Sequence, residues 1–368
     1  MSSLIKQSKR ETNSLFNRAH WCSPHQSLCV GDLNTDKNLT MDLFNSALGK
    51  NITFVRPAYF IISGFIGIPN AMYYYIFLFF VYVISVVGNT VVMTVIYLDR
   101  NLWTPKYIVV FNLAFTDLFG TTALVPKVLD LFLFNNNHIS YSDCLTFLFF
   151  CYVTLSMQVL NLIALSYDRL IAITYPLHYQ VRVTHRFMFS LIASFWLFAI
   201  AVCLTAVGLL TRLSFCKSSV VVNSYFCDHG QIFQLACNDI TPTSVFAVFL
   251  IVILLWFPLS FILGTYVCIV IALTRVATAQ ERVKALKTCT GHISLVAIYF
   301  IPILITFTLG RNIHPNGRII NLSLTSVFPP MLNPIVYVLQ TQEIKTSLRK
   351  LLMIIKQSKI SVRKVLFI

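Results

Sequence analysis

The sequence predicts an all-α membrane protein, a seven-transmembrane helix bundle with a short amphipathic helix after span seven. Of its 368 residues, 57% are hydrophobic and only 11% are charged, whereas a soluble domain usually carries about 25% charged residues. The apolar residues fall into seven runs, each long enough for the roughly 20-residue helix that crosses a bilayer. These runs cover 73–97, 107–133, 144–170, 187–211, 242–273, 287–309 and 319–340.

The residue order within the runs favours helices over strands. A membrane barrel strand alternates apolar and polar side chains, and the fifth run, which contains FLIVILLWFPLSFIL, does not alternate. Backbone groups in lipid must form their hydrogen bonds within the protein, and a helix does so within a single segment. We therefore expect residues 73–340 to form one helical domain.

The distribution of basic residues sets the orientation. The net charge is +15, and the basic residues lie almost entirely between or at the edges of the runs and at the chain ends. This excludes a nucleic-acid-binding stripe, because the spans would interrupt it. Short loops on one side carry Arg100, Lys106, Arg169, Arg182, Arg186, Arg275, Arg282, Lys284 and Lys287. Loops on the other side carry Lys127, Arg212, Lys217, Arg311 and Arg318. The first side is therefore cytoplasmic, and the tail of residues 1–72 is extracellular.

The chain after span seven carries its own pattern. From Glu343 to Ile355, apolar residues such as Leu348 and Leu351 alternate with basic residues such as Lys345 and Arg349. A helix with this pattern lies in the interface between lipid and water. Residues 341–368 are thus expected to form a cytoplasmic amphipathic helix and tail.

Ten cysteines divide between the spans and the outer loops. Cys151, Cys203, Cys268 and Cys289 fall within spans or at a cytoplasmic end, where cysteine usually serves as a small packing residue. Cys144, Cys216, Cys227 and Cys237 fall on the outer side, where disulfides persist. Four cysteines can pair in three ways, and the sequence leaves the choice open. A zinc site near His229 is a weaker interpretation of these cysteines than disulfides, because no CxxC or HxxxH spacing is present.

Four motifs on successive spans carry a family likeness. They are NLAFTD at 112–117, SYDRLIAI at 166–173 with YPLHY at 175–179, KALKTC at 284–289 and PMLNPIVY at 330–337. In this order and on these spans, they resemble the odorant receptors of the rhodopsin-like class of G-protein-coupled receptors. Gly67-Ile68-Pro69 before span one is similar to the class I, fish-type branch. Three positions depart from the family pattern: Leu170 replaces a tyrosine, Gly291-His292-Ile293 replaces Ser-His-Leu, and Gln158 stands where glutamate is common.

The resemblance implies an activation switch built from these motifs. Asp117 at mid-membrane depth is functional by default, and the resemblance implies a sodium ion there in the inactive state, with Asn89 and Asn333 nearby. A protonated Asp117 acting as a polar contact between helices is the alternative. Asp168 is expected to hold Arg169 at rest, and Arg169 is expected to meet the G protein on activation. Asn333-Pro334 bends span seven, and Tyr266 and Tyr337 are expected to approach each other through water.

The ligand is expected between the helices in the outer half of the bundle. Counting along the spans selects Cys151, Tyr152, Leu155, Ser156, Phe300, Ile303, Thr306 and Arg311. Cys151 stands where amine receptors of this class carry an aspartate, so an amine ligand is improbable. The guanidinium of Arg311 could bind a ligand carboxylate through two hydrogen bonds. The alternative is that Arg311 is a loop residue paired with Asp228 or Asp239 and does not contact the ligand.

The resemblance also implies the partners. They are a small-molecule odorant, a heterotrimeric G protein of stimulatory olfactory type that raises cyclic AMP, and the lipid of the plasma membrane of olfactory sensory neurons. The alternative is another rhodopsin-like receptor with a non-odorant ligand. A transporter is disfavoured because the two halves show no repeat, and an enzyme because no catalytic constellation occurs.

The first forty residues predict an unusual N-terminus. They are polar and contain no apolar stretch of the signal-peptide type, and we expect Met41 to be the start of the mature protein. Two acceptor sequons, at Asn38 and Asn51, precede span one. Mass spectrometry of purified receptor should find no peptide from residues 1–40, and recovering such peptides would contradict this expectation.

Overall fold

Long apolar helices dominate the protein, as the hydropathy of the sequence predicts. The computed structural model describes residues 55–134, 136–217, 219–276, 279–309 and 313–366. Within these ranges, seven helices are long and apolar enough to cross a membrane. They are α1 Met72–Leu98, α2 Pro105–Leu133, α3 Tyr141–Thr174, α4 His185–Thr211, α5 Thr241–Ile251 continued by Val252–Trp256 and Phe257–Val276, α6 Ala279–Leu309 and α7 Pro315–Gln340. The helix α8, Gln342–Leu366, follows α7.

The helix boundaries agree with the predicted spans to within four residues, except at the start of α6. That helix begins at Ala279, eight residues before the predicted position 287. Its first turns contain Gln280, Glu281 and Arg282. Polar turns continue the helical hydrogen bonds of the backbone, but a search for apolar runs does not detect them. For the same reason α8 runs beyond the predicted end at Ile355 to Leu366.

Local sequence signals explain where several helices begin. The hydroxyl of Ser140 accepts a hydrogen bond from the backbone N–H of Asp143 at the start of α3, and Thr184 does the same for Phe187 at the start of α4. Such caps satisfy N–H groups that have no partner within the helix. Pro105 and Pro315 open α2 and α7, at the position where a missing N–H costs nothing.

One proline lies beside a local departure from α geometry. In α5 the turn Val252–Trp256 is π-helical and ends two residues before Pro258. A proline ring collides with the carbonyl four residues earlier, and a π turn widens the backbone at that place. Pro126, Pro302 and Pro334 lie within α2, α6 and α7.

The third helix occupies the centre of the bundle. In its most apolar stretch 72% of α3 is buried, against 17% for α5 and 22% for α4. The helices α2, α4, α5 and α6 all contact it. A substitution on α3 therefore alters the packing of several helices.

Short loop elements connect the helices. Short helical turns occupy Arg100–Leu102, Pro176–His178, Tyr179–Arg182, His229–Ile232 and Phe233–Leu235. Three short strands, within the described residues, are β1 Tyr59–Ile62, β2 His138–Ser140 and β3 Val220–Val222.

The strands form a small sheet that the all-α prediction did not include. The strand β1 lies between the other two, antiparallel to β2, with Phe60 opposite Ile139, and parallel to β3, with Phe60 opposite Val220. Phe60 and Ile62 are fully buried, and Phe60 packs edge-on against Phe215. The segment before α1 is thereby joined to the loop before α3 and to the long loop between α4 and α5.

Two disulfides join the same region, counting only the described part of the chain. Cys144 at the start of α3 bonds Cys227 in the long loop, and Cys216 bonds Cys237 within that loop. Of the three possible pairings, this is the one adopted. Cys151, Cys203 and Cys289 are free and buried, while Cys268 is free and exposed.

Substitution of Gly64 tests how tightly the segment after β1 packs. Gly64 and Gly67 have φ angles of +61° and +68°, so alanine at either position carries left-handed strain of about 1–2 kcal/mol. Only at Gly64 would the added Cβ also overlap the ring of Phe132 on α2, because nothing lies within 4 Å of the Gly67 position. We expect Gly64→Ala to lower the Tm of purified receptor more than Gly67→Ala. Equal shifts would contradict this packing.

Candidate functional site

A buried carboxylate joins three helices in the middle of the bundle. Asp117 on α2 is fully buried. Its Oδ1 accepts a hydrogen bond from Nε2 of Gln158 on α3 at 2.9 Å, and its Oδ2 accepts one from Nδ2 of Asn333 on α7 at 2.6 Å. Burying such a group is costly unless it is hydrogen-bonded. The two amides supply the contacts that allow Asp117 to lie here.

Asn89, which is expected near Asp117, forms its hydrogen bonds with α7 and with its own helix. Its Nδ2 donates to the carbonyl oxygen of Pro330 at 2.8 Å and to that of Ser85 at 2.9 Å. Pro334 has no N–H, so the carbonyl four residues earlier, at Pro330, lacks its helical donor. Asn89 supplies that donor, and Gln158 is the second amide on Asp117.

The sodium ion that the resemblance implies at Asp117 stays a prediction. Hard cations take oxygen ligands, and both amides that reach this carboxylate present N–H groups to it. In the described part of the chain, no cluster of three or more His, Cys, Asp or Glu could hold a metal. Oδ1 of Asn89 and Oε1 of Gln158 are buried oxygens without a hydrogen-bond partner among the described residues.

The inner end of α3 holds the predicted acidic and basic pair. Nε of Arg169 lies 3.8 Å from Oδ2 of Asp168, which is almost fully buried. Oδ1 of Asp168 accepts a hydrogen bond from the hydroxyl of Tyr179 at 2.6 Å. Sequence reasoning did not assign Tyr179 a role, although it is the last residue of the YPLHY motif. Asp168 is thus held by the loop after α3 as well as by its neighbour.

Tyr266 on α5 has a different partner from the one expected. Its hydroxyl is hydrogen-bonded to Nδ1 of His292 on α6. The hydroxyl of Tyr337 on α7 is buried and has no hydrogen-bond partner among the described residues. The two tyrosines do pack against the same apolar cluster between α3, α5 and α6. The water bridge between them stays a prediction.

A small cavity lies above the Asp117 centre, with a volume of about 10 Å³, which is about the space of one water molecule. It lies between α2, α3, α7 and the long loop that precedes α5. Its lining residues are Gly120, Leu124, Cys151, Thr154, Leu155, Gln158, Phe226 and Ser326. Binding pockets are typically apolar with a few polar groups, and this cavity has such a lining but is much smaller than a usual ligand pocket.

Of the eight predicted ligand residues, Cys151 and Leu155 line this cavity. Ser156 instead donates to the backbone of Tyr152. On α6, Phe300 and Ile303 belong to the apolar cluster with α3 and α5, and Thr306 accepts a hydrogen bond from Asn321 on α7. Arg311 lies outside the described residues, as do the sequons at Asn38 and Asn51.

Several lining residues had no sequence signal. Gly120, Leu124, Thr154 and Ser326 are apolar or small side chains on otherwise ordinary helix faces. Phe226 lies in the long loop, and its position follows from the neighbouring disulfide at Cys227. Such residues acquire a role only through the packing of elements distant in sequence.

An ion pair joins the outer end of α7 to the long loop between α4 and α5. Nη2 of Arg318 lies 2.6 Å from Oδ2 of Asp228, which is buried. Oδ1 of Asp228 accepts from the Tyr152 hydroxyl at 3.2 Å and from the N–H of Gly230 at 2.9 Å. Burial lowers the pKa of the adjacent His229, with the charge of Asp228 acting in the opposite direction. This network joins the long loop to α3 and α7.

Comparison with known proteins agrees with this architecture. The chain resembles the crystal structure of squid rhodopsin with a TM-score of 0.61 and 18% identity, covering 78% of this chain and 87% of that one. At that identity the likeness establishes the fold, a rhodopsin-like bundle of seven transmembrane helices. Residues 78–355 match the olfactory receptor family. The chain belongs to the olfactory receptor family, whose members are receptors coupled to G proteins and are not enzymes.

Curated relatives support the same assignment. Human olfactory receptor 51I1 is 31% identical over 307 residues, which cover 82% of this chain and 98% of that protein. Human olfactory receptor 51F2 is 31% identical, with 86% and 94% covered, and mouse olfactory receptor 6B9 is 31% identical, with 82% and 95% covered. Relatives near 30% identity include both class I and class II members and do not resolve the branch.

Two ion pairs of similar length allow a matched test of the outer network. Lys127 and Asp130 lie 2.8 Å apart with side chains 33% and 42% exposed, whereas Arg318 and Asp228 are 25% and 6% exposed. Removing one partner of a buried pair leaves an uncompensated charge, while exposed pairs contribute about 0–1 kcal/mol. We expect Arg318→Ala to lower the Tm by several degrees and Lys127→Ala to have little effect. A similar shift for both would argue against a stabilising role of the Asp228 network.

Proposed function

We propose that this protein is an odorant receptor that binds a small molecule in the cavity and activates a stimulatory G protein of the olfactory type, raising cyclic AMP. The ligand would contact α2, α3, α7 and Phe226 of the long loop. The motif Gly67-Ile68-Pro69 supports assignment to the class I branch.

One observation carries the proposal: Gln158 belongs both to the cavity wall and to the Asp117 centre. It lines the cavity, and its amide nitrogen holds Asp117. Asp117 is in turn held by Asn333, which directly precedes Pro334 in α7. A ligand that displaces Gln158 would therefore change the contacts of α7 at its bend. Allostery requires such a physical link between two sites.

The inner end offers the second site. Release of Arg169 from Asp168 would free a guanidinium for the G protein. Nearby, the hydroxyl of Ser347 on α8 is hydrogen-bonded to Asp99 in the first inner loop, and this bond, with those of Asn101, lowers the pKa of Asp99. Ile344 of α8 is fully buried against the inner core. These contacts support α8 as a fixed part of the cytoplasmic face, lying along the membrane surface.

The charge distribution supports a plasma-membrane receptor with its N-terminus outside. The small sheet and both disulfides lie at the end of the bundle opposite to Asp168 and Arg169. An oxidising exterior favours disulfides, and a cytoplasmic side favours basic loops. Both arguments give the same orientation.

Arg169→Ala tests the proposal directly. In cells that express the receptor, the olfactory-type G protein and a cyclic AMP reporter, a panel of small odorants should elicit a response that Arg169→Ala abolishes. The physical reason is that α3 would no longer present a cation to the G protein.

Arg186→Ala is a suitable control, since Arg186 is an exposed arginine at the same end of the bundle. Its response should match that of the unmodified receptor at equal surface expression, which an antibody to an extracellular tag would measure. A ligand response that survives in Arg169→Ala would count against G-protein activation through this residue.

A further inference from the structure

The helix α8 carries a large excess of positive charge. Its 25 residues, Gln342–Leu366, contain seven basic residues and one acidic residue, Glu343. The basic residues are Lys345, Arg349, Lys350, Lys356, Lys359, Arg363 and Lys364. The match to the olfactory receptor family ends at residue 355, so the last four of these lie beyond the shared region. A basic segment next to a membrane span indicates an anionic partner.

Five of these basic residues lie on one side of the helix. An α-helix has 3.6 residues per turn, so residues three, four or seven positions apart share a side. The positions are 345, 349, 356, 359 and 363, with spacings of four, seven, three and four. We call these five positions the basic stripe, which extends about 27 Å along the helix. Lys350 and Lys364 lie outside the stripe.

The receptor bundle contacts a different side of α8. Ile344 is buried in the inner core, against which Leu348 and Leu351 also pack. The hydroxyl of Ser347 is hydrogen-bonded to Asp99 in the first inner loop. These contacts fix the rotation of α8 about its own axis. The basic stripe is therefore held beside the contact with the bundle and is not covered by it.

The position of α8 favours lipid as the partner. The helix begins at Gln342, two positions after the membrane-spanning helix α7 ends at Gln340, so its first turns lie at the inner membrane surface. Leu352, which lies between Arg349 and Lys356 on the side of the stripe, is 58% exposed. A basic helix in the interface buries such apolar side chains at the acyl boundary and keeps its cations among the headgroups. A lipid surface therefore matches both the charge and the exposed leucine.

We propose that the basic stripe of α8 binds the anionic phospholipid headgroups of the cytoplasmic leaflet. The negative potential of that leaflet attracts basic segments near a span, and each Lys or Arg at the surface changes the affinity about fivefold. The helix is then held at its start by the bundle and along its length by lipid. This inference requires neither an odorant nor a G protein, so it stands or fails independently of the proposed function.

Hydrogen exchange of the full receptor in lipid nanodiscs tests the proposal. One preparation contains phosphatidylcholine alone, and in the other part of this lipid is replaced by phosphatidylserine. Binding stabilises α8 against local opening, so its amides should exchange more than about tenfold more slowly in the anionic nanodiscs, since several basic residues contribute. High salt should remove the difference by screening. Equal exchange in the two lipids, or a difference that persists in high salt, would overturn the proposal.

Two neighbouring substitutions assign the effect to the stripe. Arg349→Gln and Lys350→Gln each remove one exposed positive charge, but only Arg349 lies on the stripe. The pKa of Asp99 is lowered by its hydrogen bonds with Ser347 and Asn101 and also by the charge of Lys350, which places Lys350 toward the first inner loop.

The ratio of exchange rates in the two lipids, taken within each variant, is the measured quantity. Arg349→Gln should reduce this ratio about fivefold, and Lys350→Gln should leave it close to that of the unmodified receptor. Lys345→Gln, also on the stripe, should behave like Arg349→Gln and replaces it if that variant does not fold. An equal reduction in the stripe variant and in Lys350→Gln would show attraction by total charge and would refute the stripe.

Discussion

A carboxylate buried among lipid-facing helices needs hydrogen-bond donors, and in this receptor the donors of Asp117 come from two other helices. Gln158 reaches it from α3 and Asn333 from α7, at 2.9 and 2.6 Å. Apolar surfaces alone provide little preference for one helix arrangement in lipid, because lipid tails are as apolar as the side chains. The polar contacts at Asp117 therefore select the relative positions of α2, α3 and α7. The cavity above and the position of Pro334 in α7 depend on that selection.

Much of the fold could be predicted because membrane spans obey a simple rule of length and hydropathy. All seven membrane spans were placed to within four residues at both ends. The helix α6 begins eight residues before its predicted span, because polar helical turns beyond the lipid leave no hydropathy signal. The strand β1 was not predicted, since four residues before a span carry no periodicity long enough to read. Its partners β2 and β3 lie far along the chain.

The candidate site was predictable in its charged residues and not in its contacts. Asp117, Asp168 and Arg169 stand out in any apolar sequence because charge within a membrane is rare. Which amide is hydrogen-bonded to Asp117 depends on the rotation of α1 and α3 about their axes. Those rotation angles cannot be deduced from a single sequence. The same applies to Tyr152, which was expected to contact ligand and instead bonds Asp228. Contacts between the long loop and the helices can be identified only from the folded structure.

The contact between Asn89 and Pro330 has a mechanical consequence. A proline bend is usually a flexible joint, because the carbonyl released by the proline can exchange partners. Here that carbonyl is bonded by a side chain of α1, and α1 lies so close that a Cβ at Gly88 would be 3.0 Å from the Pro334 ring. The pivot of α7 is therefore anchored to another helix. A displacement of α7 at this point would have to break the bond from Asn89 or carry α1 with it.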